Sequence, residues 1–410
     1  MYIKRNIEEI INKAINESKV LLLIGARDVG KTTILKHLSQ HTQHKYVSLN
    51  DLALRDFALK DPGLFLQRYK PPIFIDEIQY APQLLNYIKE YADNTINNGE
   101  IWLAGSQRLP LVKEVTECLG DIVKIIEIQG LSIDEIKLKR NNEIFIPETK
   151  QLIKRSQGAS NLSLKEIYQH IWRGSMPNMY VGNELDWQEY YANYVQTLIY
   201  RDVMRLLQIN EEMQFFRFLS AAAKQTGHLI NYAELAKAAE ISAPTSKQWI
   251  KTLEAAGIIY LLQPFMPDGS KYIVKTPKLY FFDTGLAAYL SRYLSAESLE
   301  IGQQSSEFFE TWVIMEIYKN YINNGMIPPL YYMRNFNSKE LELIIFINKI
   351  AYPLAIKKNT YKMKTQKTFA IFDPVCKDAK IQFGTCGIIC SIDNLSTVSE
   401  NMNYIPAWLI

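Results

Sequence analysis

At 410 residues the chain exceeds what a single core of ordinary size organises, so two or three domains are expected. Hydrophobic residues at 48% against 22% charged exclude a disordered chain, and a net charge of only +3 excludes nucleic-acid binding through a global positive field. The four cysteines, Cys118, Cys376, Cys386 and Cys390, form no paired ligand motif with histidines, which argues for reduced thiols and against zinc. Met1 to Ser18 alternates charged and apolar residues at helical spacing, unlike a signal peptide, and no run approaches the roughly 18–20 apolar residues that span a bilayer. A cytoplasmic protein with no membrane partner is expected.

Residues 1–150 alternate short apolar runs with helical patterns. The runs are Val20 to Ile24, Lys45 to Leu49, Ile73 to Ile75 and Ile101 to Ala104, and they suit strands buried on both faces. Helices between them, at Thr32 to Ser39 and Gln83 to Thr95, predict an α/β fold with a doubly wound, mostly parallel sheet.

Gly25-Ala26-Arg27-Asp28-Val29-Gly30-Lys31-Thr32-Thr33 follows the first strand and opens a helix, the context a G-x-x-x-x-G-K-[ST] phosphate loop requires. Its backbone N–H groups would wrap ATP phosphates at a helix N-terminus, Lys31 would reach the β- and γ-phosphates, and Thr32 would ligate Mg2+. A chance match in a glycine-containing turn is the bland alternative. Against it stands Pro72-Ile73-Phe74-Ile75-Asp76-Glu77, a strand ending in two acids. Asp76 would hold magnesium through water and Glu77 would polarise the attacking water, although such a pair alone is more often a solvated strand end. A further strand ends at Gly105-Ser106-Gln107, where Ser106 or Gln107 would contact the γ-phosphate or the water, or form only a polar turn.

Between about 151 and 300 the chain becomes helical and rich in Ala, Leu and Tyr. Tyr232 to Ala239, Ile241 to Pro244 and Thr245 to Ala256 read as helix, turn, helix; Ile258 to Gln263 and Tyr272 to Val274 read as strands, together a winged helix-turn-helix. Trp249, Ile250 and Leu253 give its second helix a buried side, while Lys247 and Lys251 share another face. With Lys271, Lys275 and Lys278 on or after the wing they form a local basic surface for DNA phosphates, or an ordinary solvated face on an intramolecular lid. From 301 to 410 an α/β pattern restarts, with a helix near Glu307 to Tyr321 and strands at Tyr331-Tyr332, Leu341 to Ile347 and Tyr352 to Ile356.

GARDVGKTT, FIDEIQYAPQLLNYIK and LAGSQ, followed by WRGSMP, YRDV, TGHLINYAELA, TSKQWIKTLEAAGII and VKTPKLYFFDTGLAAYL, resemble the prokaryotic AAA-type P-loop ATPases that carry a C-terminal domain of unknown function 4143. The resemblance covers nearly the whole chain. It implies an ATP-binding module at 1–150, a helical winged-helix region at 151–300 and a restriction-endonuclease-like domain at 301–410.

Two departures from the family pattern bear on activity. Asp121 follows Gly120 where an arginine finger is expected, which predicts slow or partner-stimulated hydrolysis; Arg108, Arg173 and Arg201 are the substitutes. In the terminal domain Glu310, Glu342 and Lys357 match a nuclease pattern, but Ala355 stands where an acid is needed and Glu342 where Asp is usual. An inactive nuclease domain is therefore expected. The resulting expectation is an ATP-dependent, slowly hydrolysing switch acting on or near DNA. Its rivals are an ATP-bound scaffold for a protein partner or homo-oligomer, and an active metal-dependent nuclease.

Overall fold

The computed structural model describes residues 2–106, 108–139, 143–157, 161–182, 185–197, 212–267, 273–359, 369, 381–399 and 401–410, the side chains of 108–110 excepted. The first sheet is wholly parallel, with strands β1 (Val20–Ile24), β2 (Lys45–Ser48), β3 (Ile73–Asp76), β4 (Ile101–Gly105) and β5 (Val123–Glu127) in the order β2-β3-β4-β1-β5. Helices α1 (Glu8–Glu17), α2 (Lys31–Ser39), α3 (Leu52–Lys60), α4 (Pro62–Arg68), α5 (Leu84–Asn94) and α6 (Arg108–Leu119) accompany it.

Apolar runs, rather than alternating ones, are needed because both faces of this sheet are covered. Val20, Leu22, Ile73, Ile75, Ile101 and Leu103 enter one core with residues of α5 and α6. Leu21, Leu23, Phe74 and Trp102 enter the other core, which continues without a break into the C-terminal half. Each such fully buried side chain contributes roughly 1.5–3 kcal/mol. The unit built on this sheet therefore shares one of its two cores with the rest of the chain.

The middle of the chain supplies α7 (Ile133–Ile136), α8 (Thr149–Ser156), α9 (Leu164–Arg173), α10 (Trp187–Thr197), α11 (Glu212–Ala223), α12 (Tyr232–Ala239) and α13 (Ala243–Ala255). Ser242 caps α13 by accepting from Thr245 N, and Pro244 sits in its first turn, where a missing N–H costs nothing. Glu240, at φ 57, ends α12 in the left-handed region and sets the turn. Trp249, Ile250 and Leu253 are buried, with Trp249 ring-packed on Phe215 and Phe218. A small sheet follows, of strands β6 (His228–Leu229), β7 (Ile259–Leu262) and β8 (Lys278–Phe281) in the order β6-β8-β7.

The strand expected at Tyr272 to Val274 is corrected: β7 pairs with β8 instead. Of the expected stretch, Tyr272 lies outside the described residues, and Ile273 forms an isolated bridge to Asn335. The β7–β8 connection is drawn to a neighbouring sheet, where Phe265 N donates to Tyr332 O at 2.7 Å and Val274 N to Arg334 O at 2.9 Å.

Helices α14 (Thr284–Leu290) and α15 (Ala296–Ile301) lead to α16 (Ser305–Asn323), which is buried over most of its length and takes Glu316 and Lys319 inside as an ion pair. The last sheet is mixed, with order β14-β15-β13-β11-β10-β9 and β12 beside β11. Its strands are β9 (Leu330–Arg334), β10 (Glu340–Ile347), β11 (Ile350–Lys357), β12 (Gln382–Phe383), β13 (Cys386–Cys390), β14 (Ser396–Ser399) and β15 (Met402–Pro406). Among the described residues no helix is long and apolar enough to cross a membrane.

Candidate functional site

Strand order places the carboxyl ends of β1, β4 and β3 side by side, with Ile24 level with Gly105 and Asp76 level with Ala104. Ligands of open α/β sheets bind at such strand ends. The loop after β1 turns tightly: Gly30 has φ +99, and a Cβ on Gly25 would lie 2.2 Å from Ile128 O. Only glycine allows both the left-handed turn and that approach. Lys31 opens α2 and is buried, its Nζ donating to Gly25 O at 2.9 Å and Ala26 O at 2.7 Å.

Thr32 Oγ1 donates to Asp76 Oδ2 at 2.9 Å, and Tyr46 OH donates to the same oxygen at 3.0 Å. Asp76 Oδ1 is buried and has no hydrogen-bond partner. Burial, then the charge of Glu77, raises the Asp76 pKa, while Thr32, Tyr46 and Lys31 oppose the shift. An unpaired buried carboxylate oxygen beside a threonine hydroxyl fits a hard cation.

Glu77 adopts the left-handed conformation at φ 60, which turns it off the end of β3. Its Oε2 accepts from Gln79 Nε2 and, at 3.1 Å, from Ser106 Oγ, and Gln79 Nε2 also donates to Ser106 Oγ at 3.0 Å. Ser106 thus meets Glu77. Gln107, Lys271, Arg201 and Cys376 lie outside the described residues, as does the Arg108 side chain.

A cavity of about 300 Å³ gathers Gly30 to Thr33, Asn50, Asp76 and Glu77, together with Arg27 and Asp28. Its remaining wall comes from elsewhere: Tyr2 and Ile3 near the amino terminus, and Pro177, Asn178 and Val181 after α9. The Tyr2 ring stacks on His37 of α2 at 4.0 Å. The Pro177 segment is fixed by Leu131 N donating to Ser175 O at 2.7 Å, and by Asp283, whose carboxylate accepts from Ser175 N, Ser175 Oγ and Tyr191 OH. Arg5, buried beneath the loop, donates to Val29 O, Gln129 O and Glu135. Sequence reading missed Tyr2, Arg5 and Pro177, because their partners are remote in the chain; WRGSMP was noticed, but nothing local tied it to the phosphate loop.

Residues 17–137 match the profile of a family described as an AAA domain. Over that segment the chain is similar to AAA domains. Residues 164–298 match a different profile, described as domain of unknown function DUF8612, and not the one expected. An uncharacterized protein of Mycobacterium tuberculosis is 24% identical over 409 residues, covering 98% of this chain and 83% of that protein. Another, of Methanocaldococcus jannaschii, is 25% identical over 309 residues, 67% of this chain and 63% of that protein. Among solved structures, a Walker-type ATPase of Pyrococcus abyssi covers 70% of this chain and 96% of its own at 12% identity, with a TM-score of 0.43.

The basic surface is only partly as expected. Lys247, Lys251 and Lys275 are exposed. Lys278 is corrected: it is 2% exposed, and its Nζ donates to Glu310 and Glu340, each at 2.6 Å. Burial opposes its charge, but Glu310, Tyr280 and Glu340 outweigh burial and hold its pKa well above the ordinary lysine value. Glu310 is therefore ion-paired, as is Glu342, to Lys357.

Proposed function

We propose that the protein is an ATP-binding, slowly hydrolysing switch whose nucleotide state controls its C-terminal half. The observation that carries this reading is the convergence of Lys31, Thr32 and Asp76 on one cavity, with the unpaired oxygen of Asp76 buried there. Backbone N–H groups of Gly25 to Thr33 would receive the phosphates, and Lys31 would reach the β- and γ-oxygens. Thr32 would hold magnesium directly and Asp76 through water; the bound ion supplies charge neutralisation on the terminal phosphates. Glu77 would orient the lytic water, its carboxylate fixed by Gln79 and Ser106.

Slow hydrolysis would follow from Asp121, which stands after Gly120 where the family pattern places an arginine finger; of the substitutes, Arg201 and the Arg108 side chain lie outside the described residues. Arg173 donates to Met179 O and lies over the Tyr180 ring, and Arg5 is committed beneath the loop. Lack of a finger lowers such rates by roughly three to five orders of magnitude.

For the C-terminal half, α11 to α13 with the small sheet read as a winged helix-turn-helix, and the exposed Lys247 and Lys251 of α13 support contact with DNA phosphates. The sheet from β9 onward reads as a restriction-endonuclease-like unit without catalysis, since Ala355 is buried in an apolar cluster. Calorimetric titration with magnesium-ATP tests the central claim: Lys31→Ala should lose tight binding, and unchanged affinity would remove it. DNA affinity that ignores nucleotide would favour a scaffold using ATP as a structural ligand.

A further inference from the structure

Helix α13 ends against the phosphate loop itself. Ala256 N donates to Thr252 O, Gly257 N to Glu254 O and Ile258 N to Leu253 O, a glycine-terminated helix end with Gly257 at φ +70. A Cβ built on Gly257 would lie 3.3 Å from Ala26 N, 3.4 Å from Ala26 Cβ and 3.5 Å from Ala26 Cα. Ala26 is 3% exposed and Gly257 is buried, so the helix end and the loop pack together away from solvent, with room for about one methyl group between them.

Ala26 is also one of the two carbonyls that hold Lys31, at 2.7 Å, the other being Gly25 at 2.9 Å. A phosphate that draws the ammonium towards itself competes with both bonds. Gly25 has nowhere to go, because Ile128 O stands where its Cβ would be and Ile128 N is bonded to Ile24 O at 2.8 Å. Adjustment therefore falls on Ala26, which lies against Gly257. That glycine terminates the helix whose exposed face carries Lys247 and Lys251.

Resting on the nucleotide-binding reading above, we propose that Gly257 is a positioning residue of the phosphate loop: through the Ala26–Gly257 contact, triphosphate occupancy is read out by α13 and its lysine face. The coupling is reciprocal, so a polyanion bound to that face changes nucleotide affinity by the same factor as nucleotide changes affinity for the polyanion.

Hydrogen–deuterium exchange on the full chain, with and without the magnesium complex of a non-hydrolysable ATP analogue, tests this. Peptides covering 25–33 should become protected, and exchange over 250–258 should change about fivefold or more, the low end of coupling between sites. Protection of 25–33 with no change over 250–258 would overturn the coupling and leave nucleotide binding standing; no protection of 25–33 would overturn both. Gly257→Ala places a methyl group against Ala26 and should shift analogue affinity about fivefold or more, with Lys31 untouched. Should its left-handed φ prevent folding, Ala26→Gly removes the opposing methyl group without strain and should shrink the response over 250–258; a full response in that variant refutes the contact as the route.

Discussion

Lys278→Met tests a buried charge cluster of the C-terminal half. The methionine keeps an unbranched apolar stem, one atom shorter, and removes the ammonium that now donates to Glu310 and Glu340 at 2.6 Å each. Side-chain exposures of 3%, 13% and 19% leave little water to replace it. Glu340 keeps Arg334 at 3.1 Å, and Glu310 keeps only the Tyr280 hydroxyl at 2.6 Å, so the uncompensated charge is chiefly that of Glu310. Breaking such a pair from one side costs about 3–5 kcal/mol. Urea unfolding followed by tryptophan fluorescence should show that loss at neutral pH. The deficit should also depend on pH. Burial already raises the Glu310 pKa against the pull of Lys278; without the ammonium it rises further. A carboxyl whose folded pKa lies above its unfolded value destabilises the fold increasingly as pH climbs from the unfolded towards the folded value. The gap between variant and parent should therefore narrow as the solution is acidified towards about pH 4, near the ordinary glutamate value. Adding Glu310→Gln should recover most of the loss at neutral pH. A deficit under about 1 kcal/mol, or one that does not change with pH, would refute the reasoning.

Two further outcomes are expected. Glu77→Gln should retain ATP and stop its turnover in a phosphate-release assay; turnover at the parent rate would move the base to Asp76 or Gln107. His170 is kept neutral by burial, reinforced by Lys137 and Arg173, with its pKa pushed down to about 4. The unfolded chain takes up that proton first, so stability should fall by about 1–2 kcal/mol between pH 6.5 and 5, a slope that His170→Asn abolishes in urea melts at the two pH values.

The parallel sheet was legible because its central strands are covered on both faces: apolar runs announced β1, β3 and β4 without alternation, while β2, at the edge, reads KYVS with Lys45 and Tyr46 exposed. β5 escaped because Val123 to Glu127 mixes charge into the run at the edge of the sheet. The phosphate loop and the acids after β3 were legible for a different reason, since each is a local motif whose spacing is its geometry. What sequence could not give is contact across the fold. Lys278 looked like a surface charge because its two carboxylates lie 32 and 62 residues away. The Pro177 wall of the cavity depends on Asp283, 108 residues from Ser175, and neither residue type hints at the other. The β7–β8 connection was read as a free wing, since nothing in its own sequence shows that its ends pair with β9.

The acids of the C-terminal sheet bring the argument to its last test. Three glutamates, Glu310, Glu340 and Glu342, would be attractive to a divalent ion if they faced one open site. Instead each is answered by a cation of the chain itself: Glu310 and Glu340 by Lys278, Glu340 also by Arg334, and Glu342 by Lys357. Glu342 has its second oxygen occupied as well, accepting from Ile356 N at 3.3 Å. Ala355, where the nuclease pattern needs an acid, belongs to an apolar cluster with Leu341, Ile344 and Ile388. A carboxylate introduced there would be buried without a partner, a cost of several kcal/mol unless a metal bound it. The purified protein should therefore not cleave single- or double-stranded DNA or RNA with magnesium or manganese. Ala355→Glu combined with Glu342→Asp is the smallest change that supplies the missing acid, and manganese binding by that variant but not by the parent would mark a lapsed nuclease. Cleavage by the parent that disappears in Lys357→Ala would show the opposite: that the ion pairs open to admit a metal, and that lysine still positions the water.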